Sequence, residues 1–168
     1  MEAEVNAKSD SIIQLKKNED ILKLKIIDEE GNDTGNYLEF NLEDIELPMR
    51  YQDLVEKDKL NKQQLKSQLV IIEKKQDHKG KKLFSANEEA KIKAMMEFYK
   101  KETEVYDMFL GKDGVKKLLN GREMSWTTLA EIDEIINSVI LPKLEVSGER
   151  IKEKIMGKYK TKRDDVLE

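Results

Sequence analysis

The hydrophobic period of this chain changes once, between Leu42 and Pro48, and that change confines the fold more than any other feature of the sequence. Before it, Leu22, Leu24 and Ile26 alternate with Lys23 and Lys25, and Leu38, Phe40 and Leu42 alternate with Glu39 and Asn41. A period of two gives a strand one apolar face. The linking segment DEEGNDTGN is dense in residues that accept a positive φ or bond their own backbone. An antiparallel hairpin from Asp20 to Leu42 is therefore expected, with outward Lys and Glu side chains placed to pair across the strands. Two strands alone are marginal in water, so the hairpin has to pack on helices or pair with another chain.

After the change the spacing is helical. Pro48 suits a first helical turn, where a missing N–H costs nothing. Tyr51, Leu54, Val55, Leu65, Leu69 and Ile72 continue the pattern through Lys75, with EKDKLNK interrupting the stripe where a bend is expected. QDHKGKKL reads as a loop. Ser85 and Glu88 have capping-box spacing and open a second helix, whose apolar face is read as Ile92, Met95, Met96, Tyr99, Tyr106, Phe109 and Leu110. Gly111 is the expected left-handed stop.

A short element from Lys112 to Asn120 places Val115, Leu118 and Leu119 on one side and ends before Gly121. Ser125, Thr127 or Thr128 then caps a longer helix, with Thr128 and Glu131 again at capping-box spacing and a stripe of Leu129, Ile132, Ile136, Val139 and Ile140. Pro142 is expected to kink or end that helix near Ile140. A last amphipathic helix runs through Ile151 and Ile155 to about Gly157. The fold class that follows is α+β, mainly α: an N-terminal antiparallel β-hairpin followed by an amphipathic multi-helix domain. The expected divisions are a flexible arm over 1–19, the hairpin over 20–46, the helical domain over 47–157 and a charged tail over 158–168, with 20–157 as one compact unit.

Composition narrows the function classes. A length of 168 residues suits one domain with a modest core. The 38% hydrophobic and 39% charged fractions describe a helical protein with wide solvated faces. Its 31 basic and 35 acidic side chains are interspersed and nearly cancel, to a net charge of -4, so bulk electrostatics does not favour nucleic acid. The absence of cysteine excludes a disulfide framework and a thiolate zinc site. MEAEVNAKSD lacks the basic segment and apolar run of a secretory signal, and no apolar stretch reaches the length of a membrane span. A cytoplasmic protein is expected.

Chemistry-bearing motifs are sparse. His78 sits in a charged loop without convergent partners. Adjacent acidic pairs such as Glu88 with Glu89 diverge by about 100° on a helix and share no site. Gly111-Lys112-Asp113-Gly114 lacks phosphate-loop spacing and follows no strand, and Asp28, Glu30, Asn32 and Thr34 lack the central glycine and closing glutamate of a calcium loop. No nucleophile has a positioned base, so no enzyme, metal or cofactor is expected. Lysines cluster at Lys74, Lys75, Lys79, Lys81 and Lys82 and again from Lys152 to Arg163, without interleaved aromatics in the first cluster, which reads as a solvated face. Met95, Met96, Met108 and Met124 suit a surface that repacks against partners, or a core. Trp126, the only tryptophan, is either an interface anchor or a plug at a helix start.

The tract FLGKDGVKKLLNGREMSWTTLAEIDEIINSVI, from Phe109 to Ile140, resembles the central motif of the tail assembly chaperone family of long-tailed bacteriophages and prophages: a large apolar residue before a glycine, a short amphipathic helix ended by another glycine, and a longer amphipathic helix. The resemblance covers mainly residues 85–157. It implies a non-catalytic protein of the bacterial host cytoplasm that binds the tape measure protein and tail tube subunits during tail morphogenesis, with self-association through the same apolar faces. Partner contact is expected at Met96, Phe109, Leu110, Val115, Leu118, Leu119, Trp126, Leu129 and Ile132, each of which a plain core would equally use. The alternative from another class is a small regulatory or nucleic-acid-associated helical protein that binds through lysine-rich surfaces.

Overall fold

The computed structural model of the chain describes residues 12–15, 20–145, 149 and 153. The expected hairpin is present as β1 (Ile21–Ile27) and β2 (Asp33–Asn41), antiparallel, with Leu22 opposite Phe40 and Leu24 opposite Leu38. The Asp28 carboxylate accepts the backbone N–H groups of Glu30 and Asn32 at 3.0 and 2.8 Å and so fixes the turn, while Gly31 supplies its positive φ of 84°. Register slips between Lys25 and Ile27, where Thr34 Oγ1 donates to the Ile26 carbonyl at 2.7 Å and Gly35 adopts φ 77°. Across the strands, Lys23 lies over the Tyr37 ring, 4.0 Å from its centre.

Four helices follow: α1 (Leu47–Glu73), α2 (Ala86–Leu110), α3 (Gly114–Leu119) and α4 (Trp126–Ile135). Pro48 stands in the first turn of α1 as expected, and the Asp44 carboxylate anchors that start by accepting Glu46 N–H at 2.9 Å and pairing with Arg50. EKDKLNK does not bend α1, a single helix of 27 residues and about 40 Å. The inward positions are Leu47, Tyr51, Leu54, Asp58, Asn61, Leu65, Leu69 and Ile72. The stripe keeps its period through EKDKLNK and changes only from apolar to polar. Val55, which the spacing placed on the stripe, is 47% exposed.

Ser85 and Glu88 form the expected capping box, and α2 runs antiparallel to α1. Its inward face is rotated from the expected one. Ala94, Phe98, Glu102, Val105, Tyr106, Phe109 and Leu110 are buried, whereas Ile92 and Met96 are exposed. Phe109 joins the layers, its ring centre 5.6 Å from that of Phe40 and 5.7 Å from that of Tyr51, so the hairpin packs on its own chain's helices. One apolar core runs from the strands to Leu144.

The corner after α2 accounts for the glycines of the tract. Gly111, at φ 97°, closes the helix by donating its N–H to Asp107, whose carboxylate accepts Val115 N–H at 2.9 Å. Gly114 passes so close to Leu110 that a Cβ there would lie 2.5 Å from Leu110 Cβ. At α4 the capping box is Ser125 with Thr128, not Thr128 with Glu131, because Thr128 occupies the third helical position and returns a bond to Ser125 N–H. Pro142 does not end the helix at Ile140. A π turn over Ile136–Ile140, closed by Leu141 N–H on the Ile136 carbonyl, widens the coil before the proline, and 141–145 remain helical. In an α-helix positions 136, 140 and 144 would drift by about 80°. The wide turn keeps Ile136, Ile140 and Leu144 all buried, while Val139 is 43% exposed. The expected helix through Ile151 and Ile155 lies outside the described residues, as does the lysine cluster from 152 to 163.

Candidate protein-interaction surface

Polar groups meet in the interior where α1, α2 and α4 come together. Glu102 is fully buried, and its Oε1 accepts from Asn61 Nδ2 at 2.9 Å. Asp58 Oδ2 accepts from Lys62 Nζ at 3.0 Å, and Tyr106 donates its hydroxyl to Asp133. Two buried oxygens, Asp58 Oδ1 and Glu102 Oε2, have no donor as carboxylates. A proton on Glu102 would give Asp58 a donor. Burial, reinforced by the Asp58 hydrogen bond, pushes the Glu102 carboxyl up to about 8. Burial works against charge on Lys62 as well, but Asp58 beside it, with Asp133 and Glu102, leaves the ammonium pKa raised. The Tyr106 hydroxyl is raised by burial and by its bond to Asp133. The Glu102 side chain has no solvent exposure, and its partners Asn61 and Asp58 come from the facing helix α1. The arrangement fits helix register better than chemistry.

Sequence reasoning missed this network, although the signal was present. Asp58 and Asn61 stand at helical spacing between Leu54 and Leu65, and Glu102 stands between Phe98 and Tyr106. Polar side chains on an inward stripe require partners on the facing stripe.

The nine residues expected at a partner surface divide by burial. Phe109, Leu110, Val115, Leu129 and Ile132 are no more than 3% exposed and form the core of this chain. Leu118 and Leu119, the last two residues of α3, are half-buried and pack against the core. Met96 and Trp126 are outside, 65% and 50% exposed. Trp126 opens α4 with one side against Phe98 and Tyr99, at ring-centre distances of 5.3 and 6.3 Å. Ile92, Met96 and Tyr99 share one face of α2 at i, i+4 and i+7. Tyr99 links this face to Trp126, so that an apolar strip runs from α2 to the start of α4, and Ile92 is itself 40% exposed. Of the other methionines, Met108 is 54% exposed and touches Lys57, whereas Met95 and Met124 pack against the core.

Two concavities lie apart from this strip. A groove of about 350 Å³ between the ends of α1 and α2 is floored by Ile71, Ile72, Ala90 and Ala94. A wider cleft of about 580 Å³ lies between the hairpin turn and the α3–α4 loop, with Ile26, Leu118, Arg122 and Glu131 in its walls. Three of its polar side chains are engaged: Arg122 bonds Glu131 at 2.7 Å and the carbonyls of Leu118 and Leu119, and Asp28 holds the turn. His78 lies exposed in the α1–α2 loop. No group of metal-ligating side chains converges among the described residues, and no helix among them is long and apolar enough to cross a membrane. No known protein family, curated protein or solved structure matches this chain.

Proposed function

We propose that this chain is a non-catalytic assembly chaperone of the tail assembly type, which holds an elongated helical partner such as a tape measure protein through the apolar strip of Ile92, Met96, Tyr99 and Trp126. The observation that carries the reading is the strip itself. A half-exposed tryptophan packed on Tyr99, with an exposed methionine on the same face of α2 as that tyrosine, supplies residues that anchor protein interfaces and repack against varied helices. The strip belongs partly to the tract from Phe109 to Ile140 that resembles the family, through Trp126, and partly to the helix before it. The core of the tract, from Phe109 to Ile132, acts by setting the angle at which α4 presents Trp126 to α2.

The test is co-expression with the tail proteins of the same gene cluster. The expected result is a soluble complex with the tape measure protein that survives high salt and is lost in a Met96→Glu/Trp126→Glu variant, because apolar burial is insensitive to screening. A chain that retains no tail protein, or a complex indifferent to both substitutions, would contradict the proposal.

A further inference from the structure

Beyond the start of α4 the ends of α1 and α2 continue as a pair joined by the 74–84 loop, and the groove between them lies on a different flank from the strip. Ala90, Lys93, Ala94 and Glu97 face it from α2, about 150° around the helix from Ile92, Met96 and Tyr99. The two alanines keep the floor low, and Ile71, 57% exposed, forms a wall with Ile72. Along the rim the charges are matched: Lys93 pairs with Glu89 at 3.2 Å and Lys101 with Glu97 at 3.5 Å.

The open end of the groove is different. The loop there is pinned, with Asp77 accepting the backbone N–H groups of His78 and Asn87, and Asn87 donating to the Lys75 carbonyl. Asp77 stays ionised there, its pKa lowered by those hydrogen bonds, and Glu73 is bound by Lys91 at 3.2 Å. Lys74, Lys75, Lys79 and Lys81 have no ion-pair partner among the described residues, while Lys82 has Glu89 nearby. A chain of net charge -4 thus carries an excess of lysine in the loop that joins the two helices of the groove, with Asp77 as the one carboxylate of residues 74–82.

We propose that this groove seats an amphipathic helix of a partner protein, its apolar stripe on Ile71, Ile72, Ala90 and Ala94 and an acidic first turn against the lysines of the 74–82 loop. Apolar anchors at i, i+3, i+4 and i+7 match such a groove, and acidic residues are favoured in a helix's first turn. Nucleic acid suits it less: the floor carries no aromatic ring on which a base would stack, and Glu97 stands in its wall. This surface is independent of the strip and of the function proposed from it.

The test is fluorescence anisotropy of the full chain with a labelled synthetic helix of about 18 residues, leucines at the four anchor spacings, glutamates in its first turn and alanine or glutamine elsewhere. Saturable binding is expected. Ile71→Glu, or Ala90→Gln as a second way to block the floor, weakens it at least about tenfold. Gln in place of Lys74, Lys75, Lys79 and Lys81 weakens it a few-fold, as does high salt. The Met96→Glu/Trp126→Glu variant binds the peptide as the unaltered chain does, which separates this surface from the strip. The proposal is overturned by absent saturation, by indifference to both floor substitutions, by equal binding of a peptide with lysines in place of the glutamates, or by a DNA duplex that the lysines hold with the floor blocked.

Discussion

Glu102 has no solvent exposure and a carboxyl neighbour in Asp58, and the raised pKa that follows links this residue to pH. Its pKa rises from 4.5 to about 8, so between those values the folded chain keeps a proton that the unfolded chain has released. Its contribution to stability is complete below pH 4.5 and is lost as pH rises through about 8. Glu102→Gln keeps the shape, accepts from Asn61 and donates to Asp58 without a titrating proton. The expected result in thermal unfolding at pH 5, 7 and 9 is a flatter dependence for Glu102→Gln, with equal or higher stability at pH 9. Parallel curves would contradict the raised pKa. Glu102→Ala leaves Asn61 Nδ2 without its acceptor and is expected to cost about 1–3 kcal/mol. At the corner after α2, Gly114→Ala forces a Cβ against Leu110 Cβ, an atom fixed to the backbone, and should cost about 1–3 kcal/mol in denaturant unfolding.

At the scale of elements, the hairpin, the loop after α1, the α2 capping box and the glycine corner were legible because each depends on local chemistry: alternation, a turn-forming segment, an S-x-x-E pair, a positive φ. The inward face of α2 was not. Ile92, Met96 and Phe98 are all apolar, and one sequence does not say which of them the rest of the fold covers; Phe98 is covered in part by Trp126, far along the chain. The π turn escaped for a related reason, since Pro142 signals a broken ladder but not whether the coil widens ahead of it. The interruption in α1 was visible and misread as a bend, because polar residues on a stripe look like a break until Glu102 is known to face them. Two element-scale consequences can be measured. Ser85→Ala removes the α2 cap, at an expected cost of about 1 kcal/mol. Ile92→Ser/Met96→Ser, on the exposed flank, is expected to change unfolding free energy by less than about 0.5 kcal/mol, because surface positions of this kind carry little stability. Retained stability with lost partner binding would assign those residues to recognition.

At the scale of the molecule, one core ties the hairpin to the helices through Phe40, Tyr51 and Phe109, while the apolar strip stays outside it. Of the candidate surface, the sequence made Met96 and Trp126 visible as residue types, but not the packing of Trp126 on Tyr99, which depends on where α4 starts along α2. Trp126 is the only tryptophan and sits within the strip, so its fluorescence reports on that surface alone. The most direct measurement is its emission during titration with a soluble helical segment of the tape measure protein. The account predicts a blue shift and protection from an aqueous quencher that saturate together with binding, as the exposed half of the ring leaves water. A segment that binds while Trp126 emission and quenching stay unchanged would contradict it.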